Sequence, residues 1–330
     1  MILRWGILGV ARINRAVIPP LQSSARNRLM GVASRDLSRA EEAAARWGIP
    51  RAFGSYEALL ADPEIDVVYI PLPNDLHREW CVRAARAGKH VLCEKPLALT
   101  VQDLAKIEEE SAAAHVVVAE AFMYRHHPQT LRVREIVSAG EIGTVGLVRG
   151  SFTFTLDHAG DYRADPERGG GALWDIGCYP VSYARFVLGE EPVEAQGFQT
   201  KGASGIDETF LGTLLFPSGA LLSFDCGFRA PYRTQMEFVG ESASIVVPRP
   251  FKPGLEERIL LNHGGDAPEE VRMPGADLYT GEVEDLADAV LLERRPRVSL
   301  AESRGNLLAL TALRHSAETG LAVKVSPAQA

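Results

Sequence analysis

Val91-Leu92-Cys93-Glu94-Lys95-Pro96 is a short apolar run followed at once by a carboxylate, an ammonium and a proline. The apolar part reads as a buried strand, and the proline ends it. Asp66-Val67-Val68-Tyr69-Ile70 has the same character and runs into Pro71-Leu72-Pro73-Asn74, a tight turn. Between them lies a helical stretch closed by Gly88. Strand, helix and strand in this order make a parallel crossover, so Glu94 and Lys95 stand at the carboxyl end of a parallel strand. Open α/β sheets bind their ligands at that edge. Taken alone, Glu94-Lys95-Pro96 has a plainer reading, a salt-bridged lysine ahead of a strand-stopping proline.

Towards the N-terminus, Leu3 to Leu8 reads as a buried strand, followed by Gly9-Val10-Ala11-Arg12-Ile13-Asn14 and a helix to about Leu21. A dinucleotide fingerprint puts small residues at three places in such a turn, for the bend, the pyrophosphate and close packing. Here they are Gly9, Ala11 and Asn14, and only Gly9 is the usual residue. The second strand, Leu29 to Ala33, leads into Ser34-Arg35-Asp36, with Asp36 as N-cap of a helix to Trp47. NAD sites place an acid at the end of this strand for the ribose. Ser34, Arg35 and Arg39 instead offer a hydroxyl and guanidinium groups, which suit a 2′-phosphate. The cofactor expected is NADP rather than NAD. The alternative leaves Arg35 in solvent and gives Asp36 the ribose.

Pro71, Leu72 and Pro73 shape a rigid loop, and Asn74 and His77 face a ribose or substrate from it; otherwise His77 is a solvated first-turn residue. Ser55 to Glu57 opens a short helix, Thr100 and Asp103 form a capping box, and His115 to Ala119 is the next strand. The first half is therefore α/β, a doubly wound parallel sheet.

The second half changes character after Tyr124 to Pro128. Gln129 to Ala139 is helical. Val148 to Thr155 alternates as a half-buried antiparallel strand, and Pro217-Ser218-Gly219 joins two strands in a hairpin. Met236–Val239, Ala243–Val247 and Arg258–Asn262 add strands, and Gly281–Arg294 and Ala301–Thr319 are helices. The expectation is an NADP-binding domain over 1–121. An α+β domain over 122–330, with a large and mostly antiparallel open sheet, binds substrate and makes subunit contacts. The last helices pack back towards the first domain. His126 and His127 are adjacent, so they point apart and are no metal pair; no metal is expected.

Gly169-Gly170-Gly171-Ala172-Leu173-Trp174-Asp175-Ile176-Gly177-Cys178-Tyr179-Pro180 carries the chemistry of this half. Glycines let the backbone approach something closely. A helix beginning near Ala172 puts Asp175 and Tyr179 on one face. A carboxylate and a phenol, with the Lys95 ammonium to lower the phenol's pKa, suit proton exchange with a hydroxyl. A buried helix with a locally paired Asp175 and a core Tyr179 is the bland alternative. Phe154, Arg163 and Trp174 are placed as lining for a ring-shaped polyol.

The chain has 330 residues, 46% hydrophobic and 24% charged, with a net charge of -8, which is ordinary for a globular protein of two domains. The acidity and the lack of a basic tract argue against a nucleic-acid partner. No apolar run approaches the roughly 18 residues of a membrane span, and no secretory signal is visible. Cys81, Cys93, Cys178 and Cys226 are widely spaced and read as reduced thiols of a cytoplasmic protein.

Trp5 to Ile13, Tyr69 to Asn74, Gly88 to Leu97, Ala121 to Arg125 and Gly169 to Tyr179, in this order, resemble the glucose–fructose oxidoreductase and inositol dehydrogenase family, written Gfo/Idh/MocA. The branch most alike resembles dimeric dihydrodiol dehydrogenase and NADP-dependent xylose dehydrogenase. The resemblance implies catalysis by Lys95 beside the nicotinamide ribose, substrate orientation by Asp175, and proton exchange by Tyr179 where histidine is common. It implies cofactor contacts for Gly9, Ala11, Arg12, Ile13, Asn14, Ser34, Arg35, Arg39, Pro71, Leu72, Asn74, His77, Glu94, Lys95, Arg163 and Tyr279. It also implies a homodimer or homotetramer formed through the second sheet. The function implied is NADP-dependent hydride transfer to or from a CH–OH carbon of a sugar, cyclitol or trans-dihydrodiol. Two alternatives are an oxidoreductase that retains NADP and cycles between two sugars, and a non-catalytic NADP sensor. The presence of Lys95, Asp175 and Tyr179 argues against the sensor.

Overall fold

The computed structural model describes residues 2–156, 160–265 and 267–326. They form two compact units, one of residues 1–126 with 279–303 and one of residues 127–278 with 304–330. The first unit thus runs to His126, and the chain returns to it near its end.

The first unit begins β1 (Leu3–Leu8), α1 (Asn14–Ser23), β2 (Asn27–Ala33), α2 (Leu37–Trp47), β3 (Arg51–Phe53) and α3 (Tyr56–Leu60). It continues with β4 (Val67–Ile70), α4 (Asn74–Arg86), β5 (His90–Glu94), α5 (Val101–Ala113) and β6 (Val118–Ala121). The strands lie in the order β3-β2-β1-β4-β5-β6, all parallel. This order reverses between β1 and β4, so the loops after those strands face one crevice. Helices start where short polar side chains satisfy free amides. Asp36 accepts from the Ser38 amide, Ser55 from Ala58 and Thr100 from Asp103, each worth about 1 kcal/mol. The strand expected from His115 begins only at Val118, because His115 takes a left-handed turn conformation at φ 54°.

The second unit opens with α6 (Pro128–Ser138) and β7 (Val145–Thr155). A five-residue π-helical turn, Leu173–Gly177, runs into α7 (Cys178–Leu188). There follow β8 (Glu194–Lys201), β9 (Asp207–Leu215), β10 (Leu221–Gly227), β11 (Arg229–Gly240), β12 (Ser244–Val247), β13 (Glu257–Asn262) and β14 (Glu269–Met273). α8 (Thr280–Leu291) belongs to the first unit, α9 (Leu300–Thr319) spans the boundary, and β15 (Val323–Lys324) ends the described chain. α8 returns because Val283, Leu286 and Ala287 complete the apolar core around Trp5, Ile7 and Leu21.

The second sheet has the order β14-β13-β12-β11-β7-β10-β9-β8-β15. β9 and β10 form the expected hairpin, with Gly219 at φ +89° in its turn. β7, read as an antiparallel strand, pairs antiparallel with β11 and also in parallel with β10. The chain leaves β7 through the π turn and α7 before it returns. Glycines seat that helical segment on the sheet: a Cβ on Gly150 would lie 2.8 Å from Pro180, and one on Gly177 3.0 Å from Cys226 Sγ. β8, β14 and β15 have no clear apolar alternation and were not expected.

Candidate active site

In the first unit the turn after β1 holds Gly9 at φ +121°, a conformation open to glycine and strained for other residues. Its amide donates to the Ala33 carbonyl, and Asn14 Nδ2 donates to the Gly9 carbonyl at 2.9 Å. Asn14 is buried and braces the turn from within, so its side chain does work that the glycine fingerprint leaves to close packing. Ile13, at the N-cap of α1, makes no side-chain capping bond, and Ala11 and Arg12 lie beside it at the mouth of the turn. A crevice of about 400 Å³ runs between α1 and α2, lined by Ala11, Arg12, Asn14, Arg39, Arg46 and Trp47 among others.

At the end of β2, Ser34 is buried while Arg35 and Arg39 are exposed. Arg35 and Arg39 stand near the Tyr56 hydroxyl; burial raises the pKa of that phenol, and the two guanidinium groups work against the rise. Asp36 is committed to the cap of α2, accepting from the Ser38 amide at 3.0 Å and its hydroxyl at 2.8 Å. Two exposed guanidinium groups with the neighbouring acid spent on a helix cap fit a ribose that carries a 2′-phosphate.

The turn after β5 is held by contacts from several strands. Tyr69, fully buried in β4, donates to Glu94 Oε1 at 2.5 Å, and burial with the nearby Glu94 and Glu282 carboxylates holds its pKa well above the ordinary range. Leu97 donates its amide to the buried Glu120 carboxylate at 2.9 Å. His77 sets Nδ1 2.7 Å from the Pro96 carbonyl oxygen and Nε2 2.7 Å from that of Leu72. It is fully buried, so it does not lie in solvent; it ties the two loops at this edge together. Burial lowers its pKa first, and Lys95 adds to the effect. Pro71, Leu72 and Asn74 are buried in the same loop, Glu94 and Lys95 are half-buried, and Tyr279 reaches the neighbourhood of Tyr69 from the start of α8.

In the second unit, Arg163 Nε donates to Asp175 Oδ2 at 3.0 Å, and Nη1 donates to Asp161 Oδ1 at 3.2 Å. The guanidinium lies 4.7 Å from the centre of the Tyr162 ring. Burial works to lower the Arg163 pKa, but Asp175, Tyr162 and Asp161 together hold it raised. Asp175 and Tyr179 are both buried. They sit on the π-to-α segment rather than on the plain α-helix expected from Ala172; such one-turn π segments recur at functional sites. The Tyr179 ring meets Phe152 edge-on at 5.3 Å and leans on Phe251 at 5.5 Å. Phe154 is half-buried against Phe228, and Trp174 is buried, as Asp175 and Tyr179 are, with the Arg314 guanidinium over its ring.

Glu94 thus stands with Tyr69 and Tyr279, and Arg163 with Asp175. Sequence reasoning missed Tyr56, Tyr69, Glu120, Asp161 and Asp207. Glu120 carried a usable signal, a carboxylate inside an apolar strand. The others look locally like ordinary strand, helix or loop residues.

All four cysteines are free and buried. Among the described residues no cluster of histidine, cysteine or acidic side chains could hold a metal ion, and no helix is long and apolar enough to cross a membrane.

Residues 3–122 match the oxidoreductase family with an NAD-binding Rossmann fold, and residues 130–246 match the GFO/IDH/MocA C-terminal domain. The chain is 41% identical over 329 residues to D-xylose 1-dehydrogenase (NADP(+)) 2 of Haloferax volcanii, covering 98% of this chain and all of that one. An aldose–aldose oxidoreductase from Caulobacter crescentus, solved with glycerol, superposes with a TM-score of 0.91 at 27% identity, over 98% of this chain and 100% of that one. A 3-ketoreductase from Actinomadura kijaniata, solved with NADP and TDP-benzene, superposes with a TM-score of 0.90 at 30% identity, over 96% and 98%.

Proposed function

The chain belongs to the GFO/IDH/MocA oxidoreductase family, and on that premise we propose that it is an NADP-dependent enzyme acting on a CH–OH or hemiacetal carbon of a sugar or related polyol. The observation that carries the reading is the buried pair Asp175 and Tyr179 on the π-to-α turn, with Asp175 held by Arg163. The bound cofactor supplies or accepts the hydride, and the protein supplies orientation and charge. Tyr179 exchanges the hydroxyl proton, and Asp175 accepts a hydrogen bond from a neighbouring hydroxyl. Lys95 contributes the ammonium at the carboxyl edge of the first sheet. Arg35 and Arg39 receive the 2′-phosphate. The names of the xylose dehydrogenase and of the NADP-bound ketoreductase support both the cofactor and a sugar-like substrate.

In this reading the first unit binds NADP, and the second binds substrate and joins subunits into a homodimer or homotetramer. Phe198 and Leu211, cross-strand neighbours on β8 and β9, are exposed in the single chain and are the apolar part of that subunit face. The enzyme is assigned to the cytoplasm.

The test is NADPH formation at 340 nm against a panel of aldoses, inositols and trans-dihydrodiols, with NADP and then NAD. Turnover with one polyol and NADP is the expected result; silence across the panel, with NADP binding intact, defeats the substrate class. Tyr179→Phe and Lys95→Ala, each assayed separately, are expected to bind NADP and to lose turnover by about 10²–10⁴-fold. A wild-type rate in Tyr179→Phe removes its proton-transfer role. The likeness to an aldose–aldose oxidoreductase favours a second reading, in which NADP stays bound while one sugar is oxidised and another reduced. Cofactor absorbance that survives desalting decides for it.

A further inference from the structure

We infer that Asp207 is a positioning residue for this chemistry: its carboxylate, set against the first turn of the π-to-α segment, fixes where Asp175 and Tyr179 stand. Asp207 opens β9, far in sequence from the segment that it holds. Its Oδ2 accepts the Leu173 amide at 2.7 Å, and the Ala172 amide and its own also favour its charge. Gly171, just before, is at φ +116°, and a Cβ there would run into this carboxylate. The Asp175 amide donates to the Gly171 carbonyl at 3.0 Å, so the turn that Asp207 holds is the one from which Asp175 projects. The far end of the π turn is fixed too, because Gly177 lies against Cys226 of β10. A half-buried carboxylate gives up part of its hydration, and here the Leu173 amide replaces some of it.

The groups around it are mixed. Lys201 on β8 favours its charge; the Cys226 thiol lies near Asp207, with Cys178, Asp175 and Asp225 close to that thiol. Burial outweighs Lys201 and the amides, and the Asp207 pKa rises to about 6. Ionised, the group grips the turn; protonated, it grips less well.

The inference rests on the roles proposed for Asp175 and Tyr179. Its test is Asp207→Asn in the full chain, which keeps the shape and removes the charge. Since a misplacement of about 1 Å costs roughly 10²-fold in rate, kcat is expected to fall by about that factor. NADP affinity, read by NADPH fluorescence, stays at the wild-type level, and Tm at pH 7.5 does not fall. Wild-type kcat declines towards the variant's level below pH about 6, where Asp207 protonates, and the variant shows no such limb. A variant kcat within about twofold of wild type overturns the inference. So does joint loss of kcat, NADP binding and Tm in both Asp207→Asn and Asp207→Ser, which marks a purely structural role. Tyr179→Phe assayed alongside separates the two readings. Full activity there defeats the proton-transfer role itself, whereas an inactive Tyr179→Phe beside a fully active Asp207→Asn defeats only the role of Asp207.

Discussion

Tyr69 in β4 donates its hydroxyl hydrogen to Glu94 Oε1 at 2.5 Å, joining two neighbouring strands at the carboxyl edge of the first sheet. The bond orients the residue before Lys95, so the lysine is carried on a turn with little freedom. Tyr69→Phe deletes the donor without changing the ring's volume. Losing a hydrogen bond to a half-buried carboxylate costs about 1–3 kcal/mol. Urea unfolding is expected to show a loss of that size, with a lower kcat. Unchanged unfolding would mean that Glu94 finds another donor.

Arg35 is expected to set the cofactor preference. Hydrogen bonds to charged groups contribute about 1.5–3 kcal/mol, so Arg35→Ala raises the KM for NADP by roughly 10–100-fold. The KM for NAD stays where it was, because NAD carries no 2′-phosphate. Equal effects on both cofactors would return Arg35 to a general electrostatic role and leave the ribose to Asp36.

Arg163 and Asp175 form a direct ion pair at 3.0 Å, with Asp175 buried. Arg163→Met removes that ion pair. A double-mutant cycle with Asp175→Asn is expected to give a coupling energy of about 0.5–3 kcal/mol in kcat/KM. Additive single effects would separate the two residues.

Asp207 makes a prediction about stability with pH. Its folded pKa, about 6, lies above the ordinary carboxyl value of 3.8, so the native state holds a proton that the unfolded chain has released. Stability from this group is therefore greatest below the unfolded value and falls as pH rises through the window from 3.8 to about 6. The full difference is on the order of 3 kcal/mol. Denaturant unfolding of wild type against Asp207→Asn should diverge across that window, with the variant gaining on wild type as pH rises. Parallel curves would place the Asp207 pKa near its ordinary value.

Much of the first unit was legible. Alternating strands and helices, Gly9 at a β-to-α turn and the caps at Asp36, Ser55 and Thr100 are local signals, and each element formed near its expected place. His77 shows where local reading stopped. A histidine in the first turn of a helix looks solvated or ligand-facing, and nothing near it announces that the carbonyls of Leu72 and Pro96 meet both ring nitrogens. Trp174 is as hard to read locally: an aromatic residue beside a site can line it or lie behind it, and nothing near it announces the Arg314 guanidinium over its ring. The π turn at Leu173–Gly177 was equally hidden, since its sequence is that of an ordinary helix start.

Residue order alone determined the α/β class of the first half, the edge of its sheet that carries Glu94 and Lys95, and the segment that carries Asp175 and Tyr179. These follow from periodicity, turn chemistry and spacing, which act over a few residues. Tertiary structure alone decided which groups hold those side chains. Tyr69 reaches Glu94, Glu120 the Leu97 amide, Arg163 Asp175, and Asp207 the Leu173 amide. Such partners lie on different elements, and a hydrogen bond forms only when strand register and helix placement bring donor and acceptor within about 3 Å.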